Sequence, residues 1–349
     1  MEAEASRKGL LGRGVFWVVC TGLCIFLLAT FVRVSEVNNL YRARFGDMVY
    51  GTAYRPYVSR ALLPGMVRGI TGLVPAERRT QWSAALESDP QIGPWLIKFK
   101  AGSGLGVEAA VAGGLMLVSL LGFCMAFRRL LGGLYSIPPA LLDLATFAAL
   151  LLLVLFFGFG YIYDFTTLFL FTLNLNFLAR GNWKAALISY PLVCLNKETA
   201  VLLILVLAVY GWDRLPRRLW AGLLTGQTLI FGVVKLVLDF MFRNNPGGAT
   251  EYHLQDHLVV IRQFPILIGV VLLLLAGAAW LILSGWREKP VFLRRALVIL
   301  LPLTGLYVFY GFPLELRAMY EVYPIVLALI LPTLARGVRA LQPPDPQVH

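Results

Sequence analysis

The chain has 349 residues, is 58% hydrophobic and only 14% charged, and has a mean hydropathy of +0.74. Soluble domains carry about 25% charged residues, so this composition excludes an ordinary soluble domain and belongs to a polytopic membrane protein. The formal charge of +12 does not mark a nucleic-acid binder, because the basic residues are scattered at segment ends, where they orient membrane helices.

Apolar segments fall at 14–34, 104–127, 138–160, 165–179, 185–195, 200–211, 219–242, 265–284, 296–311 and 318–335. The longer ones approach the roughly 20 residues that cross a bilayer as a helix. The expected fold is all-α: a transmembrane bundle of about 10 membrane segments, two of them half-length. One domain over 1–340 is followed by a disordered cytoplasmic tail at 341–349, which contains the proline-rich run QPPDPQVH. The first run lacks a small-residue cleavage site and reads as a retained anchor. Cys20, Cys24, Cys124 and Cys194 all lie in apolar runs, so core packing is their expected role.

Basic clusters recur on alternate connections: Arg7, Lys8 and Arg13; Arg128 and Arg129; Arg180 and Lys184; Arg214, Arg217 and Arg218; Arg287, Lys289, Arg294 and Arg295; Arg336 and Arg339. They hold about half of the 31 lysines and arginines, and the positive-inside rule makes that side cytoplasmic. Both termini then lie in the cytoplasm. The long connection 35–103 is basic yet extracytoplasmic, which its length allows.

That first loop carries Glu36, Arg42, Arg44, Asp47, Arg55 and Arg60. Asp47 follows Gly46 and reads either as a solvated turn carboxylate or as a reactive group. After Tyr54-Arg55-Pro56-Tyr57, residues Leu62, Leu63, Met66, Val67, Ile70 and Leu73 recur at helical spacing. An interfacial amphipathic helix is expected near 57–73. It either guides a lipid-linked substrate or packs over the spans as a lid. The stretch AERRTQWSAALESDP reads as a polar loop, and Gln91–Phe99 as a return toward the interface.

Asp164 sits in a very short connection, where it either caps the following span or serves chemistry. Asn174 and Asn176 are expected to bond between helices. The run from 185 to 211 is broken by Asn196-Lys197-Glu198-Thr199. Each charge costs at least roughly 2.5–3.5 kcal/mol near the bilayer centre, which makes intramembrane charge a functional-site signal; a structural ion pair is the alternative. Basic clusters precede and follow the run, so both its ends are cytoplasmic and the break is a reversal. Eleven residues rise only about 16 Å in a helix, which sets the bend below the outer surface, at the floor of a cavity. The same side holds Glu251, His253, Asp256, His257, Glu315 and Arg317. Lys235 and Asp239 share one helix face and read as a pair. Arginine forks suit phosphate oxygens and a carboxylate suits proton abstraction, so the set suits a reaction on a phosphate-bearing lipid.

Four features together resemble the GT-C superfamily of integral-membrane glycosyltransferases: an acidic residue after the first span (Asp47, with Glu36 as rival), the interfacial helix, the short connection bearing Asp164, and the lysine-bearing break Leu195-Asn196-Lys197-Glu198-Thr199-Ala200. The Tyr54-Arg55-Pro56 and Glu315-Leu316-Arg317 segments are similar to those of several bacterial membrane proteins. No adjacent acidic pair follows the first span. The resemblance implies inverting transfer of a sugar from a polyprenyl-phosphate carrier to an acceptor outside a bacterial inner membrane, with membrane lipid as surroundings and no nucleic acid. Asp47 is then the general base. Lys197, with Arg55, Arg60 or Arg317, neutralises the departing phosphate. Glu198 and Asp164 orient the acceptor or hold a divalent metal, and Glu36, Glu315, His253 and His257 support the acceptor. No cofactor is required, although the oxygen-rich set suits magnesium or manganese. The rival functions are a transporter or flippase of an anionic lipid or solute, a polymerase or ligase of lipid-linked glycans, and a non-catalytic assembly subunit.

Overall fold

A computed structural model describes residues 2–99, 101–248 and 252–334, with side chains from Gly14 onward and that of Glu36 excepted. The expected tail at 341–349, Arg336, Arg339 and Glu251 lie outside the described residues. The chain is built from α1 (Glu2–Val34), α2 (Phe45–Tyr50), α3 (Leu62–Thr71), α4 (Ala76–Ser88), α5 (Gly93–Lys98), α6 (Gly106–Leu134), α7 (Pro139–Leu152), α8 (Asp164–Ala179), α9 (Trp183–Asn196), α10 (Val201–Gly211), α11 (Arg217–Met241), α12 (Leu254–Gln263), α13 (Pro265–Leu283), α14 (Val291–Ala296), α15 (Leu300–Tyr310) and α16 (Tyr323–Leu334). Among the described residues the only strands are a two-residue parallel bridge, β1 (Glu36–Val37) on β2 (Phe159–Gly160).

Among the described residues six helices are long and apolar enough to cross a bilayer: Gly14–Val34, Gly106–Leu134, Pro139–Phe156, Arg217–Met241, Pro265–Leu283 and Val291–Tyr310. Shorter apolar helices cover Asp164–Ala179, Glu198–Gly211 and Tyr323–Leu334. The protein is thus an all-helical membrane protein. α6 is central and packs on α1, α3, α4, α7 and α8. Its Met116, Leu120, Phe123 and Phe127 are buried with Leu27 and Phe31 of α1 and with Phe165, Leu168 and Phe171 of α8. All four cysteines are buried and free; Cys24 and Cys124 touch at 3.7 Å within this packing, as expected of core residues.

Glycine permits one close approach that matters. A Cβ on Gly160 would lie 2.3 Å from the Phe31 ring, which is fully buried and cannot swing away. Gly160→Ala is therefore expected to destabilise the protein by about 1–3 kcal/mol through overpacking, read as a lower unfolding temperature in detergent.

The run from 185 to 211 does reverse. Near one end of α9, Asn174 Nδ2 donates to the Ala186 carbonyl at 2.9 Å; near the other, Asn196 Nδ2 donates to Thr167 Oγ1 at 2.7 Å. A Cβ on Gly226 of α11 would touch Leu187 at 3.5 Å, while Cys194 and Glu198 lie by Phe231, Val234, Lys235 and Leu238. α9 therefore runs parallel to α11. The returning α10 runs antiparallel to it, since Trp220 Nε1 donates to the Ala208 carbonyl at 3.2 Å. Lys197 is extended (φ −161°, ψ 143°) and ends α9. Tyr190 Oη ties the turn by donating to the Ala200 carbonyl at 3.1 Å.

Among the described residues the basic connections gather at one end, here the basic end. Arg128 pairs with Asp143 at 2.6 Å, and Arg180 donates to the Arg129 carbonyl at 2.6 Å. Lys289 Nζ caps α13 through the Leu281 and Ile282 carbonyls at 2.7 and 2.6 Å. At the opposite end the expected amphipathic helix is the shorter α3, preceded by a 3₁₀ turn at Tyr57–Ser59. Leu63 and Val67 face inward, while Met66, Ile70 and Leu73 stay exposed. The expected polar loop after it is instead the helix α4. Its alanines, glutamates and arginines favour helix, and the buried Ser83 accepts from Val107 N at 3.2 Å, docking α4 on α6.

Candidate functional site

The short helices α8, α9, α10 and α16 all have their ends at the level of the bend, opposite the basic end. This brings charged residues from four stretches of chain together. The 3₁₀ turn Tyr57–Ser59 delivers Arg60, whose guanidinium forks onto Glu198 at 2.7 and 3.3 Å and donates to Tyr163 Oη. Asp164 is the first residue of α8. It is not a side-chain cap: its Oδ2 accepts from Tyr161 N at 2.8 Å and its Oδ1 from Arg317 at 3.1 Å. Arg317 also pairs with Glu315, and Glu315 accepts from Phe312 N at 2.9 Å. The bend contributes Lys197, which donates to Glu321 at 2.8 Å, and Thr199 donates to the same Glu321 oxygen.

Aromatic rings wall this network. The Arg317 guanidinium lies 4.1 Å from the Tyr161 centroid, and Arg60 lies 5.0 and 5.2 Å from those of Tyr163 and Tyr57. Tyr57, Tyr161 and Tyr163 stack in succession, at 5.5 and 5.3 Å. A cleft of about 380 Å³ opens beside them, lined by Tyr41, Phe159, Tyr161, Phe312 and Glu315 among others.

The network holds three cations, Arg60, Lys197 and Arg317, against four carboxylates, Asp164, Glu198, Glu315 and Glu321. Buried charge survives only where it is paired and hydrogen-bonded. Here each cation has its carboxylate, and one negative charge is left over. Burial pushes the Glu315 carboxyl up, but Arg317 and the Phe312 N–H outweigh it and hold Glu315 below its ordinary value. Glu321 is fully buried, and its Oε2, like Arg317 Nε and Tyr320 Oη, has no hydrogen-bond partner among the described residues.

Six expected site residues thus meet: Arg60, Asp164, Lys197, Glu198, Glu315 and Arg317. Others stand apart. Asp47 lies in α2 and takes a hydrogen bond from Thr52 at 3.2 Å; among the described residues no bond joins it to the network. Arg55 clamps the turn after α11, donating to the Gly247 carbonyl at 3.2 Å. His253 pairs with Asp256 at 2.7 Å and its backbone N–H donates to the Phe309 carbonyl at 2.8 Å, while His257 Nε2 donates to the Gly311 carbonyl at 3.0 Å, so the two fasten α12 beside α15. Glu36 contributes its backbone to β1, and its side chain lies outside the described residues. Lys235 and Asp239 form the expected pair at 3.2 Å, but exposed rather than buried. Asn174 bonds between helices, whereas Asn176 accepts from Arg180 at the end of its own helix.

Glu321, which the sequence places about a turn after Arg317 and one turn inside the outer boundary, with function and structural pairing both open, is the seventh member of the network; a carboxylate there is the same signal that marked Lys197. Sequence reasoning missed Asn38. This fully buried residue adopts φ 54°, a region asparagine tolerates, accepts from Ile162 N at 3.1 Å and donates to the Ala43 carbonyl at 2.7 Å. It thereby sets the first loop against the connection that bears Asp164. The network carboxylates are committed to cations, so a divalent ion there would have to displace Arg or Lys. The set of three metal-type donors with ligand atoms within 4.8 Å among the described residues is Cys20, Cys24 and Cys124, enclosed in apolar packing. Comparison with protein-family models, with curated proteins and with solved structures finds no match.

Proposed function

We propose that the chain is an integral-membrane glycosyltransferase of the GT-C kind, moving a sugar from a polyprenyl-phosphate carrier to an acceptor outside a bacterial inner membrane. In this reading ten segments enter the bilayer, both termini and the basic end face the cytoplasm, and the network end opens to the outside. The observation that carries it is the meeting of seven charged side chains beside a cleft lined by Tyr41, Phe159, Tyr161 and Phe312. Aromatic faces give a sugar ring apolar contact area, and buried charged donors suit a phosphate leaving group.

The roles follow from pairing. Asp47 is the base. Unlike the four network carboxylates it has no cation partner among the described residues, so an acceptor hydroxyl competes with no cation for its oxygens. Arg60, Lys197 and Arg317 share their charge between carboxylate and carrier phosphate, Arg317 having a spare Nε–H. A transporter fits less well. The buried charged side chains among the described residues, Glu108, Asp164, Lys197, Lys289, Glu315, Arg317 and Glu321, lie at one end or the other and mark no path across.

The test is a lipid extract from a deletion strain complemented with wild type, Asp47→Asn or Asp164→Asn. Accumulation of polyprenyl-phosphate sugar, or loss of one glycan, is expected in the deletion and in both variants, with wild type restoring the normal pattern. Unchanged glycans in the deletion strain would remove the glycosyltransferase reading, and unchanged glycans in Asp47→Asn alone would remove Asp47 from the mechanism.

A further inference from the structure

The connection from α10 to α11, at the basic end, carries charge that the network does not use. A cleft of about 540 Å³ opens there, lined by Ala208, Val209, Trp212, Asp213, Trp220 and Arg295. Trp212 and Trp220 meet edge to face at 5.2 Å. Arg295 forks onto Asp213 and donates to the Tyr210 carbonyl at 3.1 Å, so the one acid of the cleft is already neutralised. Arg214, Arg217 and Arg218 are exposed and make no ion pair among the described residues. Arg217 is held 4.1 Å from the Trp212 centroid, which orients its guanidinium while leaving its N–H groups for a ligand.

We propose that this cleft binds an anionic phospholipid headgroup. The phosphodiester takes the N–H groups of Arg217 and its neighbours Arg214 and Arg218, since guanidinium forks match phosphate oxygens. Ala208 and Val209 lie on the apolar helix α10 and receive the acyl chain. Indole rings favour the depth of the headgroups, and basic pockets between membrane helices take anionic headgroups, each arginine adding to the attraction. A zwitterionic lipid gains less, because its ammonium meets three unpaired guanidinium groups. Free phosphate gains less, because it makes no contact with the apolar wall.

The test is native mass spectrometry of the full chain in detergent, titrated with phosphatidylglycerol, phosphatidylcholine or inorganic phosphate. Retention of a single phosphatidylglycerol is expected, with phosphatidylcholine at least about tenfold weaker. The combined variant Arg214→Gln, Arg217→Gln, Arg218→Gln loses at least about tenfold in retention. Arg243→Gln, at the opposite end, leaves retention unchanged and controls for total charge. Equal retention of the two lipids, an unaffected combined variant, an equal loss in Arg243→Gln, or displacement of the lipid by inorganic phosphate at equal concentration would each overturn the site.

Discussion

Replacing Arg317 by methionine is expected to destabilise the protein by about 3–5 kcal/mol, because it leaves two buried carboxylates without their counter-charge. The Arg317 side chain is 8% exposed, and its partners Asp164 and Glu315 are 3% and 9% exposed. Asp164 is closed off from water, and Glu315 reaches only the edge of the cleft. Each also accepts a backbone N–H, from Tyr161 and Phe312, which fixes it where it is. The triple variant Arg317→Met, Asp164→Asn, Glu315→Gln should recover most of the loss, since amide oxygens keep both backbone bonds and carry no charge. Thermal unfolding in detergent compares the three proteins. A single variant as stable as wild type would show that the ion network does not hold the 311–322 segment against α8.

Lys197→Met carries the second large effect, and its sign is set by the charge count. Lys197 is 11% exposed and Glu321 is not exposed at all. Removing the lysine leaves two cations against four carboxylates, whereas Glu321→Gln leaves three against three. Lys197→Met should therefore cost about 3–5 kcal/mol and Glu321→Gln less, by about 1 kcal/mol or more. The pair Lys197→Met, Glu321→Gln should be more stable than Lys197→Met alone. An equal or larger loss in Glu321→Gln would mean that the surplus negative charge is neutralised by a group outside the network. The two measurements also separate stability from chemistry. If the bend works on substrate, the paired variant folds well and still fails to restore normal glycans.

Which elements were legible follows from how their signals are built. The long runs such as 265–284 announce themselves because hydropathy is a local sum and α13 is apolar along its whole length. The reversal at Lys197 was legible too, because basic clusters at 180–184 and 214–218 constrain both ends of one run. α4 was missed because a polar composition was read as loop, while its helix-forming residues and its docking through Ser83 favour helix. The site was legible as an inventory and not as a map. Arg60 and Glu198 are 138 residues apart, Lys197 and Glu321 are 124 apart, and no spacing rule links them.

The sequence by itself determined that this chain lives in a bilayer, that its basic connections share one end, and that Lys197 and Glu198 sit at a reversal. Each of these depends on transfer free energies that add residue by residue. Only the tertiary structure decided which cation meets which carboxylate, that Asp47 and Arg55 stand outside the network, and that Glu321 stands inside it. Pairing of buried charges depends on distances of a few ångströms between side chains brought together by α6 and α8, and that geometry is a property of the packed bundle alone.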